Sequence, residues 1–193
     1  MELGAGAKLP LPLLLLQATC LGYAGADGYM SVIEVTNGGP WGDWAWPEMC
    51  PDGFFASGFS LKVTEHLAGK PLRPESGWRW VGGTAKPVRL RFLRRWGWWS
   101  EPLWCPVGGF LVAFSLRVEA PVTFGDNTAA NNVRFLCSDG TELQGPGLTW
   151  GDFGNWSELC PKGICGLQTK IQQPQGLLDD TAINDALFFC CRN

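Results

Sequence analysis

Hydrophobic and polar positions alternate along three separate stretches of this chain. In Gly58-Phe-Ser-Leu-Lys-Val63, residues Phe59, Leu61 and Val63 fall on one face and Ser60 and Lys62 on the other. Ala113-Phe-Ser-Leu-Arg-Val118 repeats the pattern, with Phe114, Leu116 and Val118 inward and Ser115 and Arg117 outward. Gly166-Leu-Gln-Thr-Lys-Ile171 gives a third, with Leu167, Thr169 and Ile171 inward against Gln168 and Lys170. A period of two over five or six residues predicts half-buried strands. The β-branched run Val32–Thr36 and the terminal Ala186-Leu-Phe-Phe-Cys190 predict two more. Helix signals are nearly absent, and the expected class is all-β.

The strands belong to a longer repeat. Trp41-Gly-Asp-Trp44 precedes the first, Trp96-Gly-Trp-Trp99 the second and Trp150-Gly-Asp-Phe-Gly-Asn-Trp156 the third. Cys50-Pro, Cys105-Pro and Cys160-Pro stand between, and the prolines at 47 and 51 exclude helix there. In the first two copies the Trp-to-Cys and Cys-to-Phe spacings are both nine residues. Behind the second strand come Gly125-Asp-Asn-Thr-Ala-Ala-Asn131 and Val133–Cys137; behind the third come Asp179-Asp-Thr-Ala-Ile-Asn184 and Ala186–Cys190. Phe114 to Cys137 and Leu167 to Cys190 are both 23 residues. Such a period means one supersecondary unit used three times, at about 31–92, 93–147 and 148–193.

The first copy breaks the rule. A cysteine is expected near Gly82, after an Asx-Thr loop, and neither is there. Instead residues 68–95 hold eight of the chain's fifteen Lys and Arg against one acid, Glu75. An acquired basic site for an anionic glycan or membrane surface would explain the run. Replacement of the repeat's second half by an alternative transcript explains it better, because the foreign segment starts and stops abruptly inside a regular period. Residues 68–94 are expected to be irregular.

The N-terminus reads as an address. A lysine at position 8, the apolar run Leu9–Ala18 and the small-x-small pattern Ala24-Gly-Ala26 form a secretory signal over residues 1–26, too short for a membrane anchor. Residues 27–193 are then one domain, secreted and extracellular. Eleven Trp and 26 Gly among 193 residues, with few charges, suit such a β protein with tight turns. The net charge of −3 shows no nucleic-acid face outside the irregular region, and no later segment reads as a membrane span.

The Gly-Pro-Trp-Gly-Asp-Trp stretch, the Phe-Ser-Leu-Lys/Arg-Val strands, the Gly-Asp-Asn-Thr-Ala-Ala-Asn-Asn loop and the Cys-Cys near the C-terminus resemble the vitelline membrane outer layer protein 1 family. The resemblance covers residues 28–66 and 95–193. It implies a secreted β-prism: three Greek-key sheets around a pseudo-threefold axis, each sheet one face. It also implies a structural role in an extracellular layer. Synthesis of N-acetylchitooligosaccharides has been attributed to the family, with no catalytic residues that carry over. The departure at 68–94 leaves the first sheet incomplete.

Without Cys20, discarded with the leader, seven cysteines remain, so one is left over in an oxidising compartment. The repeat pairs Cys105 with Cys137 and leaves Cys50 as the orphan. Cys160 and Cys165 are expected to meet Cys191 and Cys190, as Cys160–Cys191 and Cys165–Cys190. Adjacent cysteines point to opposite faces of a strand, so either arrangement fits the sequence. No Cys-x-x-Cys is present, and neither a metal nor a cofactor is expected.

His66 is the single histidine, which removes most Ser–His and Cys–His schemes. Carboxylates are the remaining route to glycoside chemistry. Asp126, Asp179 and Asp180 are the candidates, although Asx turns in Gly-flanked loops explain them better, because a turn is needed in every unit and an active site is built once. Trp41, Trp96 and Trp150, with Asp43 and Asp152, are candidate glycan-binding residues: an indole suits a sugar face and a carboxylate its hydroxyls. Trp44, Trp99 and Trp156 are expected in the core. Asn155-Trp-Ser157 is an N-glycosylation sequon with an unfavourable central residue. The expected function is a non-catalytic structural or glycan-associated component of an extracellular layer or fluid, with glycans or glycoproteins as partners. A lectin, or a carbohydrate-active enzyme with paired carboxylates, is the alternative.

Overall fold

The computed structural model describes residues 29–63, 77–82, 98–119, 130–172 and 183–192. Among these, every regular element is a strand: β1 (Tyr29–Ile33), β2 (Asp43–Trp44), β3 (Glu48–Met49), β4 (Ala56–Val63), β5 (Gly77–Gly82), β6 (Trp98–Trp99), β7 (Leu103–Trp104), β8 (Leu111–Val118), β9 (Ala130–Cys137), β10 (Glu142–Gln144), β11 (Asp152–Phe153), β12 (Ile164–Ile171) and β13 (Ile183–Cys191). The three alternating stretches are β4, β8 and β12. No helix among the described residues is long and apolar enough to cross a membrane.

The strands form three antiparallel sheets. The second sheet runs β11-β8-β9-β10 and the third β2-β12-β13-β1, with β3 also on β12. Both have the Greek-key order in which the fourth strand returns beside the first. In the third sheet that order passes through the chain's two ends, because β1 pairs with the terminal strand β13. The first sheet, β6-β4-β5 with β7 also on β4, shows no strand beyond β5 to match β10 or β1 among the described residues.

The sequence repeat is therefore not the sheet. The Trp motif of each copy closes its predecessor's sheet: β6 and β7 of copy two lie on β4, β11 of copy three on β8, and β2 and β3 of copy one on β12. This cyclic exchange ties the three sheets into a ring. It also explains why faces read as outward from alternation are covered. Ser60 and Ser115 are fully buried, and the Ser115 hydroxyl donates to the Gly154 carbonyl at 2.8 Å, beneath the next copy's motif.

The inward faces meet in one core. Phe59, Phe114, Phe135 and Phe188 are all buried, and their rings touch across sheets: Phe59 to Phe135 at 4.7 Å, Phe114 to Phe188 at 4.3 Å and Phe135 to Phe188 at 5.3 Å. Each buried ring contributes on the order of 1.5–3 kcal/mol. No single sheet could bury these rings alone.

Within residues 68–94, expected to be irregular, the described residues Gly77–Gly82 form strand β5, and the remainder lies outside the described residues. The backbone register of β5 matches that of the second sheet: Ala56 faces Gly82 as Leu111 faces Cys137, and Phe59 faces Trp80 as Phe114 faces Phe135. Backbone pairing needs only a compatible extended chain, so a segment foreign in sequence can still occupy the site. The missing cysteine's place is taken by Gly82.

Each central strand carries a bulge at its start, at Ser57, Val112 and Cys165. Each bulge carbonyl accepts from the amide of a Cys-Pro cysteine: Cys105 N to Ser57 O at 2.8 Å, Cys160 N to Val112 O at 2.8 Å and Cys50 N to Cys165 O at 2.6 Å. Every Cys-Pro segment is thus fastened to one sheet and placed to bond to another. Cys105 is bonded to Cys137 in this way. The expected Cys160–Cys191 and Cys165–Cys190 pairs are corrected: the bonds are Cys160–Cys190 and Cys165–Cys191. Cys190 lies on the Phe188 face of β13 and enters the core with Cys160, whereas Cys191 points away and stays half-buried. Cys165, at the bulge and outside the core cluster, meets it there. Cys50 is free.

Candidate functional site: the tryptophan rim

Strands β4, β8 and β12 all run from the cysteine end of the ring toward the opposite rim, where the returning Trp motifs pair with their last residues. Trp44 is opposite Lys170 and Asp43 opposite Ile171; Phe153 is opposite Arg117 and Asp152 opposite Val118. Lys62 and Trp99 occupy the matching positions of the first sheet. The turn into each motif hugs the neighbouring strand. At Gly42 and Gly151 the backbone has φ of 91° and 75°, and a methyl on either would collide with the backbone of Ile171 or Val118. Only glycine satisfies both demands.

This turn projects the first tryptophan outward. Trp41 is 54% exposed and Trp150 50%. Asp43 and Asp152 are exposed beside them in sequence. The structure therefore places four of the five candidate glycan-binding residues at equivalent rim positions. Trp96 lies outside the described residues, as do the catalytic candidates Asp126, Asp179 and Asp180.

The last tryptophan of each motif, Trp44, Trp99 or Trp156, does not enter the core as expected, and Trp99 and Trp156 are half-buried. Trp44 is 40% exposed, with the Lys170 ammonium 5.8 Å from its ring centre. The same ammonium donates to the Pro40 carbonyl at 2.9 Å. On the second sheet, the Arg117 and Arg134 guanidiniums each stand 4.7 Å from the Phe153 ring centre, and Arg134 is also 4.6 Å from Trp156. Arg117 donates to the Thr149 carbonyl at 3.1 Å and Arg134 lies 3.8 Å from Glu142. These cations were legible only as outward residues of an alternating strand; their aromatic partners come from another copy. For Arg117 and Lys170 the signal was the recurrence of Lys or Arg at one position of β4, β8 and β12; Arg134, on β9, had none.

Three carboxyls among the described residues are perturbed, and none is a nominated one: the Thr141 amide, donating to Asp139, holds that carboxyl down. Burial pushes the Glu48 carboxyl up. Asp185 is also raised, by burial first and by Glu34, against the Ala186 amide and Lys170. The Ala186 N–H donates to the Asp185 carboxylate at 2.8 Å. Among the described residues no group of three or more His, Cys, Asp or Glu is placed to hold a metal.

A family model described as "Vitelline membrane outer layer protein I (VOMI)" matches residues 31–71 and 91–193. The chain belongs to this family. The unmatched interval falls within the basic segment of copy one and includes β5. The vitelline membrane outer layer protein 1 homolog of Homo sapiens is 62% identical over 211 aligned residues, covering all of both chains. The protein of the same description from Mus musculus is 56% identical over 212, covering 99% of each. As a member of the vitelline membrane outer layer family, the chain is a secreted, extracellular structural protein. Its disulfides are at home in that oxidising compartment.

Proposed function

We propose that the protein serves an extracellular layer or fluid as a glycan-associated scaffold whose tryptophan rim is the binding surface. The carrying observation is the pair of half-exposed indoles, Trp41 and Trp150, each held outward by the same positive-φ glycine turn and followed two residues later by an exposed aspartate. An indole stacks on the apolar face of a pyranose, and a carboxylate accepts from its hydroxyls. A ring of equivalent weak sites suits a layer component, because several modest contacts on one rigid body add through effective concentration. Glycans or glycoproteins carrying several accessible sugars are the expected partners.

The test is a glycan array probed with the secreted chain, followed by titration of any hit against Trp41→Ala, Trp150→Ala and the double variant. Binding should fall in each single variant and further in the double. Undiminished binding by the double variant would sink the rim as the site. Turnover of N-acetylchitooligosaccharides by the parent, lost in Asp126→Asn or Asp180→Asn, would establish the carbohydrate-active alternative in its place.

A further inference from the structure

The glycan-binding reading uses the rim tryptophans as contact surfaces and leaves their spacing unexplained. In copy one the motif is Trp41-Gly-Asp-Trp44, two tryptophans separated by two residues; copy two repeats this as Trp96-Gly-Trp-Trp99. Copy three keeps the fold of the turn but ends in Phe: Trp150-Gly-Asp-Phe153. Trp-x-x-Trp is the pattern read by the membrane enzyme that attaches mannose to the carbon framework of tryptophan in chains entering the secretory pathway. We propose that Trp41 is a C-mannosylation site.

The chemistry is a group transfer without redox change. The donor is a polyprenyl-phosphate mannose. Indole C2 of Trp41 forms a bond to mannose C1 as the bond from C1 to the phosphate oxygen breaks. The phosphate leaves with the electron pair, and C2 loses its proton to restore the aromatic ring. The second tryptophan, three residues on, is what the transferase recognises.

Modification precedes folding, so the fold's part is to tolerate the product. A hexose on a core tryptophan would prevent closure of the ring of sheets. Trp41 instead keeps half its surface in water, at the rim, while its backbone is held by the Gly42 turn. The neighbouring Trp44 ring is already covered by Lys170, whose ammonium reaches back to the Pro40 carbonyl beside Trp41. With half of Trp41 in water, a hydroxylated group on its indole need displace neither the β2–β12 pairing nor the Lys170–Trp44 contact. Copy three supplies an internal control: Trp150 has the same exposure and turn but no tryptophan at the recognition position.

The experiment is tandem mass spectrometry of peptides from the full chain secreted by cultured mammalian cells. The Trp41 peptide should carry one hexose that survives fragmentation that strips O-linked sugars, and the Trp150 peptide none. Trp44→Phe, which copies the third motif and keeps a ring for Lys170, should lose the hexose. Phe153→Trp should gain one on Trp150, a readout that stands even where Trp44→Phe is poorly secreted. An unmodified Trp41 in the secreted parent, or a hexose persisting in Trp44→Phe, would overturn the proposal. Glycan binding by the rim is measured separately, so the failure of either reading leaves the other in place.

Discussion

The backbone amide of Cys50 donates to the carbonyl of Cys165 at 2.6 Å, binding copy one of the repeat to the central strand of copy three. Cys105 and Cys160 make the equivalent bonds and then continue, through disulfides, to Cys137 and Cys190. Cys50 stops at the hydrogen bond. The ring thus has two of its three equivalent staples, and the third is missing where Gly82 stands.

Gly82→Cys should complete the set. Position 82 has the backbone register of Cys137, and its separation from Cys50 equals the 32 residues between Cys105 and Cys137. The expected outcome is loss of the free thiol and a stability gain on the order of 3 kcal/mol from closing such a loop. Thiol titration with peptide mapping and a thermal melt measure both; a retained free Cys50 would refute the register.

Cys50 should be a poor nucleophile in the folded protein. Burial, only partly offset by its own backbone amide, pushes the thiol up to about 11. At pH 8 the thiolate fraction is then roughly a hundredfold below that of an unperturbed thiol. Alkylation should be slow in native conditions and fast in denaturant. Because the folded value is the higher, the linked stability is intact below the ordinary thiol pKa and is lost as pH rises from about 9 through about 11. A Cys50→Ser variant should lack that alkaline slope.

Asp185→Asn should stabilise the protein at neutral pH. Asn132 holds the equivalent place in the second sheet, where its amide donates to the Gly145 carbonyl at 2.8 Å. Gly147 lies against Asn132 as Gly38 lies against Asp185. Burial raises the Asp185 carboxyl, so its favourable contribution is complete in acid and is lost as pH rises through the folded value. The gain from Asn is expected at about 0.5 kcal/mol at pH 7, discounted for the carboxyl's partial hydration, and should shrink toward pH 3. Urea melts across that range test the sign.

Arg134→Met should cost about 1 kcal/mol, more than Lys170→Met. Arg134 serves two rings on the second sheet, whereas Lys170 stands 5.8 Å from one. Double-mutant cycles with Phe153→Leu and Trp44→Leu isolate the contacts. A zero coupling energy for Arg134 with Phe153 would reduce the stack to coincidence.

Much was legible beforehand because it is written in local spacing. Alternation marked β4, β8 and β12, and the two 23-residue intervals located the gap that Gly82 fills. The orphan status of Cys50 followed from counting. The rim was half-legible: the recurrence of Trp41 and Trp150 was visible, but the covering of Trp44 by Lys170 was not, since these residues are far apart in the chain.

By itself the sequence determined a threefold strand repeat, its defect in copy one, and the identity of the unpaired cysteine. Tertiary structure alone decided that each tryptophan motif closes its neighbour's sheet, and that Cys190 joins Cys160 while Cys191 joins Cys165. Periodicity tells a residue which face of its own strand it occupies. It does not say which other strand comes to lie beside it, because that is chosen by burying the rings of Phe59, Phe114, Phe135 and Phe188 together, and only the closed ring of three sheets does so.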